Sequence, residues 1–238
     1  MKVSKASSTG PYCYDYPKAD NTVDAVVLGI DWVQKELMVL LIERLHEPFK
    51  GCWAIPGGFA NEDETLVAAC QRELKEETGV IISWLEQLAT FGDPNRDPRG
   101  RVISTAHLAL VRTSDLAPKA GDDAAKVKWN SVNDLPPLAF DHNTIIETAL
   151  QRLRMKTRWQ PVGINLLPET FTLRDLQDVY EIILGKKLDA RNFRSKVLRF
   201  GVLTPTGVKQ GNHRPAMLWR FDRENYEALL EQGMDFGI

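Results

Sequence analysis

Cysteine is scarce in this chain: Cys13, Cys52 and Cys70 are the only three among 238 residues. They are odd in number and lack metal-ligand spacing, which argues against a disulfide framework or a cysteine-built zinc site. Reduced structural thiols of a cytoplasmic protein are the expectation. A run of about 18 apolar residues is also missing, so no membrane span is expected. Lys2 and Lys5 near the start have no apolar stretch behind them, so the opening segment does not read as a signal peptide. Nor is there an excess of one charge. Lys and Arg number 30 against 32 Asp and Glu, a net charge of −2, so the whole-chain balance points to no partner. Internal repeats and low-complexity tracts are absent.

The pattern that is present changes character near residue 160. Residues 1–20, rich in Ser, Gly, Pro and Tyr, read as an extended arm. Ala25–Ile30 and Leu37–Ile42 are apolar runs of strand length, and Trp53–Phe59 reads as a strand end entering a Gly-rich loop. Glu64–Thr78 has helical periodicity, and Gly79 suits the position beyond a last turn. Val80–Phe91 and Val102–Val111 are β-rich, and Lys126–Val132 adds a candidate strand. Between the first two, Gly92–Gly100 is too dense in Pro, Gly and Asp to be regular. Asp141–Arg154 places Ile145, Ile146, Ala149, Leu150 and Leu153 on one helical side. Strands with few helices and no regular alternation predict an α+β domain, helices packed on a mixed sheet, over 21–158.

A second domain is expected over 159–238. Thr172 can cap a helix whose stripe is Leu173, Leu176, Tyr180 and Ile183, ending at Gly185. Asp189 can cap another with Phe193, Val197 and Phe200 inward, ending at Gly201. Val202-Leu203, a Thr-Pro-Thr-Gly turn and Ala216–Phe221 suggest a hairpin. Helix, turn, helix, hairpin is the order of a winged helix-turn-helix.

The densest motif is Gly-x5-Glu-x7-Arg-Glu-U-x-Glu-Glu-x-Gly-U, with U apolar. Gly58, Glu64, Arg72, Glu73, Leu74, Glu76, Glu77, Gly79 and Val80 satisfy every fixed position. On a helix, Glu73, Glu76 and Glu77 crowd one flank, while Leu66, Cys70 and Leu74 face the core. Like charges so spaced oppose helix formation by about 0.2–0.5 kcal/mol per pair. A hard divalent cation with oxygen ligands, Mg2+ (or Mn2+), would offset that repulsion. Glu73, Glu76 and Glu77 are the candidate metal ligands. Glu76 or Glu77 can double as a base, and Arg72 can hold a glutamate of the neighbouring turn in place. A solvated acidic helix face is what three glutamates alone would suggest; the full motif argues otherwise.

The segment resembles the Nudix family, and Trp53-Ala-Ile-Pro-Gly-Gly58 resembles the strand and loop leading into its box. That resemblance implies a loop-helix-loop metal site and water attack on a diphosphate linked to a nucleoside. In some branches the base comes from a loop outside the box. Arg44, Arg96, Arg99 and Arg101, with Gly57 and Gly58, are the candidate ligand-binding residues, because arginine forks suit phosphate. Asp93–Arg101 is similar to a stretch in Nudix proteins acting on ADP-ribose. Loop arginines making surface ion pairs are the bland alternative.

Charge is local in the second domain. Over 185–223 the basic residues are Lys186, Lys187, Arg191, Arg194, Lys196, Arg199, Lys209, Arg214, Arg220 and Arg223, against only Asp189 and Asp222. Such clustering is the footprint of a nucleic-acid surface. With Phe193, Val197 and Phe200 inward, Arg191, Asn192, Arg194, Ser195, Lys196 and Arg199 point outward, types that read base edges and phosphates. Leu198 falls off the inward stripe and is expected to touch the hairpin. Lys209–Arg214, with Lys209, His213 and Arg214, would be a basic wing tip. A basic appendage that packs on the first domain or builds a dimer is the alternative.

A Nudix domain followed by a winged helix is similar to the Nudix-related transcriptional regulators of NAD metabolism, the NrtR family. Phe171-Thr-Leu-Arg-Asp-Leu-Gln177, Arg191-Asn-Phe-Arg194 and Arg214-Pro-Ala-Met-Leu-Trp-Arg-Phe221 carry the likeness, with Asp15-Tyr-Pro and Thr22-Val-Asp-Ala-Val. The resemblance implies a homodimeric repressor that binds palindromic operator DNA and is released by ADP-ribose. Half-sites would lie roughly 34–36 Å apart. Many members have a degraded box, whereas this one is whole, so turnover of ADP-ribose is a further expectation. The rival is a plain ADP-ribose or sugar-nucleotide pyrophosphatase whose C-terminal domain only dimerises. A regulator sensing another phosphorylated sugar is the third reading.

Overall fold

The computed structural model describes residues 18–82, 85–116, 118–121, 124–209 and 215–234. Residues 1–17 of the expected N-terminal arm, which include Asp15-Tyr-Pro, and the wing-tip residues His213 and Arg214 lie outside them. Seven strands form one mixed sheet: β1 (Asp20–Asp31), β2 (Glu36–Arg44), β3 (Trp53–Ala54), β4 (Gly57–Phe59), β5 (Glu86–Phe91), β6 (Val102–Leu110) and β7 (Ala124–Ser131). β1 is the spine, parallel to β6 along its length. Its far half pairs with β2, from Leu28↔Val39 to Asp31↔Glu36. Its near half pairs instead with β4, from Thr22↔Phe59 to Asp24↔Gly57. β1 and β2 therefore part midway, and the functional groove lies where they separate.

Both faces of β1 are covered, which explains its near-continuous apolar run. Side chains alternate across a strand. Val23, Ala25 and Val27 pack with Ala69, Cys70 and Leu74 of α1 (Leu66–Thr78). Val26, Leu28 and Ile30 pack with Ile145, Ile146, Ala149, Leu150 and Leu153 of α2 (His142–Lys156). All five of those predicted α2 residues are buried. Leu66 departs from expectation: at the first turn of α1 it stays 38% exposed, because the sheet contact begins one turn later at Ala69. Within the expected β-rich stretch Val80–Phe91 the strand is Glu86–Phe91.

The second half is α3 (Leu173–Leu184), α4 (Ala190–Arg199), the hairpin β8 (Leu203–Lys209) and β9 (Ala216–Phe221), and α5 (Arg223–Glu231). Thr172 and Asp175 form a reciprocal capping box on α3, and Gly185 ends it at φ +65°, where glycine carries no Cβ penalty. Asp189 accepts from the Asn192 N–H at 2.8 Å and starts α4. The predicted Thr204-Pro-Thr-Gly turn is not a turn. Those residues lie within β8, and the pairing slips between Pro205 and Gly207, a bulge that accommodates a residue with no N–H to donate. Helix α5 lies beyond the elements expected from sequence. Asp222 caps it, and Tyr226 and Leu229 pack on Phe200 and Val202.

The two halves share one apolar cluster that runs from Val26 and Leu41 through α2 to Tyr180, Phe193 and Val197. Polar ties add to it: Lys35 of the β1–β2 turn pairs with Asp178 of α3 at 3.0 Å, and Arg154 of α2 donates to the Ile183 carbonyl at 3.3 Å. Among the described residues no helix is long and apolar enough to cross a membrane.

Candidate functional site

The acidic helix is assembled from its caps inward. Thr65 accepts from the Ala68 N–H at 3.2 Å, and Gly79 closes α1 at φ +69°. Arg72 then ties helix to loop. Its Nη2 donates to the Phe59 carbonyl at 2.9 Å and to Glu64 Oε1 at 2.7 Å; its Nη1 reaches Glu73 at 2.7 Å and Glu76 at 3.1 Å. The hydrogen-bonded Arg72 guanidinium holds Glu64 down to about 2.

The two glycines before the helix let the loop approach closely, Gly57 against fixed backbone and Gly58 against the movable end of Glu73. A Cβ on Gly58 would stand 2.5 Å from the Glu73 carboxylate. One on Gly57 would stand 2.2 Å from the Val23 carbonyl, and the Gly57 N–H donates to Glu77 Oε2 at 2.9 Å. The loop backbone thus closes directly over two carboxylates.

The three glutamates do not share one environment, although Glu73 and Glu76 both reach Arg72. Glu77 is 8% exposed, and burial pushes its carboxyl up to about 8. Burial also raises Glu73. The side chain of Glu76 is 58% exposed and rests on Arg72. Among the described residues no three His, Cys, Asp or Glu side chains converge closely enough to hold a metal ion.

Glu73 and Glu77 border a groove of about 410 Å³. Thr22 and Asp24 come to it from β1, Ile42 and Arg44 from β2, Gly57, Gly58 and Phe59 from the loop, and Arg96, Asp97 and Arg99 from the Pro-rich stretch. Phe140 and His142 enter from the start of α2. Arg44, Arg96, Arg99, Gly57 and Gly58 are therefore brought together with the box. Arg101 is not: it is exposed and donates to the Gly92 carbonyl.

The floor of the groove is a buried charge network. Arg96 forks onto Asp141 at 2.7 and 2.9 Å and lies 3.5 Å from Asp24. Asp24 also accepts from the Ser104 hydroxyl and stands 3.6 Å from His142 Nε2. The Ile55 N–H donates to His142 Nδ1 at 3.1 Å, so neutral His142 carries its proton on Nε2, facing Asp24. Burial lowers the pKa of His142 and favours that neutral form. Arg96 thus lines the groove with its side chain buried and held by two carboxylates.

Sequence reasoning missed Asp24, Asp141, His142 and Phe140. Asp24 left one trace, a lone charge inside an apolar strand run. The others stand at a helix start about 45 residues past the Pro-rich loop, and no periodicity links them to it.

The second site is α4. Phe193, Val197 and Phe200 are buried, and the Phe193 ring meets Tyr180 edge to face at 5.3 Å. Arg191, Asn192, Arg194, Ser195, Lys196 and Arg199 are all exposed. Leu198 is 42% exposed. Lys209 closes β8, but its side chain lies outside the described residues.

A Gly-rich loop and carboxylate helix on a mixed sheet, followed by helix, turn, helix and wing, define a Nudix domain joined to a winged-helix domain. The NUDIX domain model matches residues 20–152, and the model of the NrtR DNA-binding winged helix domain matches 163–221. The chain belongs to the NrtR family.

It is 37% identical over 227 residues to the ADPR responsive transcriptional repressor NtrR of Acinetobacter baylyi, covering 93% of this chain and 90% of that protein. Shewanella oneidensis NrtR complexed with a 27mer DNA superposes with a TM-score of 0.74 at 35% identity, covering 87% of this chain and 95% of that one. Its NUDIX domain complexed with ADP ribose gives 0.56 at 36% identity, over 63% of this chain and 99% of that one. The ADP-ribose pyrophosphatase of Methanocaldococcus jannaschii is 47% identical over 115 residues, 48% of this chain and 67% of that protein.

Proposed function

We propose that this protein is a DNA-binding transcriptional repressor of NAD-metabolism genes that senses ADP-ribose in the groove of its Nudix domain. The carrying observation is α4: a helix anchored by three buried apolar residues that presents six polar or basic ones to solvent. The relatives named for ADP-ribose response and solved with DNA and with ADP ribose support the same reading. Arg191, Asn192 and Arg194 at the start of α4 would contact base edges, and Ser195, Lys196, Arg199 and the wing residues Lys209, His213 and Arg214 the backbone. A cytoplasmic homodimer would place two such helices on the halves of a palindrome. The boundary between sensing and binding domains falls near residue 158.

Coupling has a path through α2. Asp141 and His142 begin it beside the groove, and Arg154 near its end ties it to α3. ADP-ribose would favour a dimer geometry in which the two recognition helices no longer match their half-sites. By reciprocity operator DNA must weaken ADP-ribose binding. Fluorescence anisotropy of labelled NAD-biosynthesis promoter fragments tests the proposal. Salt-dependent binding to one fragment, reversed by ADP-ribose, is expected. Affinity no better than for random DNA would overturn it in favour of a pyrophosphatase with a dimerising C-terminal domain.

The intact box favours a second activity on the same ligand, and the identity to a pyrophosphatase over 115 residues supports it. The donor set suits a hard cation, Mg2+ or Mn2+. Glu77 is a buried carboxylate whose one hydrogen bond among the described residues is from Gly57, and Glu73 lies beside it. Glu76 would turn in from Arg72 to complete the set. When bound, the ion would activate water and neutralise charge on a bridging oxygen. Arg72 holds Glu73 and the loop in place, and Glu76 or Glu77 accepts a proton. ADP-ribose hydrolysis dependent on Mg2+ and abolished by Glu76→Gln is expected. Equal rates in the two proteins would remove Glu76 from the reaction.

A further inference from the structure

Two phenylalanines beside the groove hold a backbone conformation that bulky residues seldom adopt: Phe49 at φ +64° and Phe140 at φ +53°. Glycine or asparagine would sit there with less strain. The phenyl rings offset part of that strain by packing, Phe140 on Ile42, Ala54 and Ala139, and such outliers gather at ligand sites. The two rings meet edge to face at 4.8 Å. Phe140 in turn lies within reach of two guanidinium groups, Arg44 at 4.9 Å and Arg99 at 5.6 Å from its centroid, and Arg99 also covers Phe59 at 5.1 Å.

Each of these arginines is anchored on one edge. Arg44 donates through Nε to the Pro48 carbonyl at 2.9 Å and through Nη2 to that of His46 at 3.5 Å. Arg99 donates through Nε and Nη2 to Asp97. Among the described residues neither Nη1 is engaged, and no carboxylate pairs with Arg44. Burial and the neighbouring Arg99 cation both push the Arg44 guanidinium below its ordinary value, the mark of two cations held close by the fold. An aromatic face attracts each of them, and Phe140 is the ring both share.

We propose that Phe140 is a positioning residue: it sets the spacing of Arg44 and Arg99 so that together they grip a diphosphate, and it thereby selects nucleoside diphosphates over monophosphates. This rests on reading the groove as a nucleotide site, but not on ADP-ribose being the effector. On this reading each fork takes one phosphate group of a diphosphate, and a monophosphate leaves one fork unfilled. The ring's contribution is geometric, so a flat aromatic face is required and apolar volume alone is not enough.

The test is calorimetric titration of the full chain in EDTA with inorganic pyrophosphate, ADP, AMP and ADP-ribose, for the wild type, Phe140→Leu and Phe140→Tyr. Phe140→Leu is expected to weaken pyrophosphate and ADP about tenfold and AMP less than about threefold. The ADP-over-AMP preference then narrows, and Phe140→Tyr retains it. A wild type without that preference overturns the proposal. So does a Phe140→Leu protein that keeps the preference or loses both ligands equally. A merely structural role would weaken all ligands together. If Phe140→Leu does not fold, Arg99→Lys, which keeps the charge but not the planar stack, must narrow the preference in its place. Wild-type protein that binds pyrophosphate and ADP but not ADP-ribose supports the clamp and refutes only the effector.

Discussion

The groove and the exposed face of α4 both carry positive charge, yet they are built in opposite ways. On the floor of the groove the charges are buried and committed. Arg96 is held by Asp141 and Asp24, and Glu77 lies beneath a backbone N–H. On α4 the charges are solvated, and only the apolar side of the helix is fixed. Buried ions tolerate no loss of a partner, because desolvation leaves the survivor uncompensated. Solvated ones can be removed at little cost to folding. Substitutions should thus fail together with stability in the Arg96–Asp141–Asp24 network and independently of it on α4.

The sharpest break of that contrast comes from Arg96→Ala. It strands two carboxylates and should destabilise by about 3–5 kcal/mol, read as a lower denaturant midpoint, with Arg96→Lys only a partial rescue because lysine cannot fork. An unchanged midpoint would show that water reaches this network.

Phe193→Ala probes the buried side of α4, which Val197 shares. Truncating a core phenylalanine costs about 3–5 kcal/mol, so this variant should resemble the groove substitution rather than its neighbour Arg194.

A smaller effect is set by pH. The Glu77 carboxyl sits at about 8 in the folded protein against an ordinary 4.5, so the folded state keeps a proton that the unfolded chain has released. Its contribution is fully present below about 4.5 and is lost as pH rises through about 8. In metal-free protein the stability of the wild type relative to Glu77→Gln should fall between pH 5 and 8. A constant difference across that range would mean Glu77 ionises normally.

Least of all in stability, and largest in function, is Arg191→Ala with Arg194→Ala. Unfolding should shift by no more than about 0.5 kcal/mol per site. Operator affinity should collapse, and the salt slope of what binding remains should shrink by roughly 0.9 for each phosphate that is no longer neutralised.

The parts of the molecule that are legible in the sequence are those whose cause is local. The caps Thr172 and Asp189 follow from side-chain oxygens that take free N–H groups, the stripe Phe193-Val197-Phe200 and the five core residues of α2 from a period of 3.6, and the structure has each in place. The β8 strand is disguised because Pro and Gly in sequence signal a turn, while pairing with β9 absorbs them in a bulge. Helix α5 carries a single local signal, Asp222 at its start, and its burial partners Phe200 and Val202 lie more than twenty residues away.

By itself the sequence determined the order of elements, the carboxylate helix with its arginine, and a basic helix with one greasy side, since all of these depend on residues within a few turns of one another. Only the tertiary structure decided that Glu77 is buried while Glu76 is solvated, that Arg96 belongs to Asp141 and Asp24, and that Phe140 stands between Arg44 and Arg99. Those outcomes depend on β1 and β2 parting and on α2 returning to the gap. Desolvation and charge pairing are properties of where chain segments meet, which no local spacing encodes.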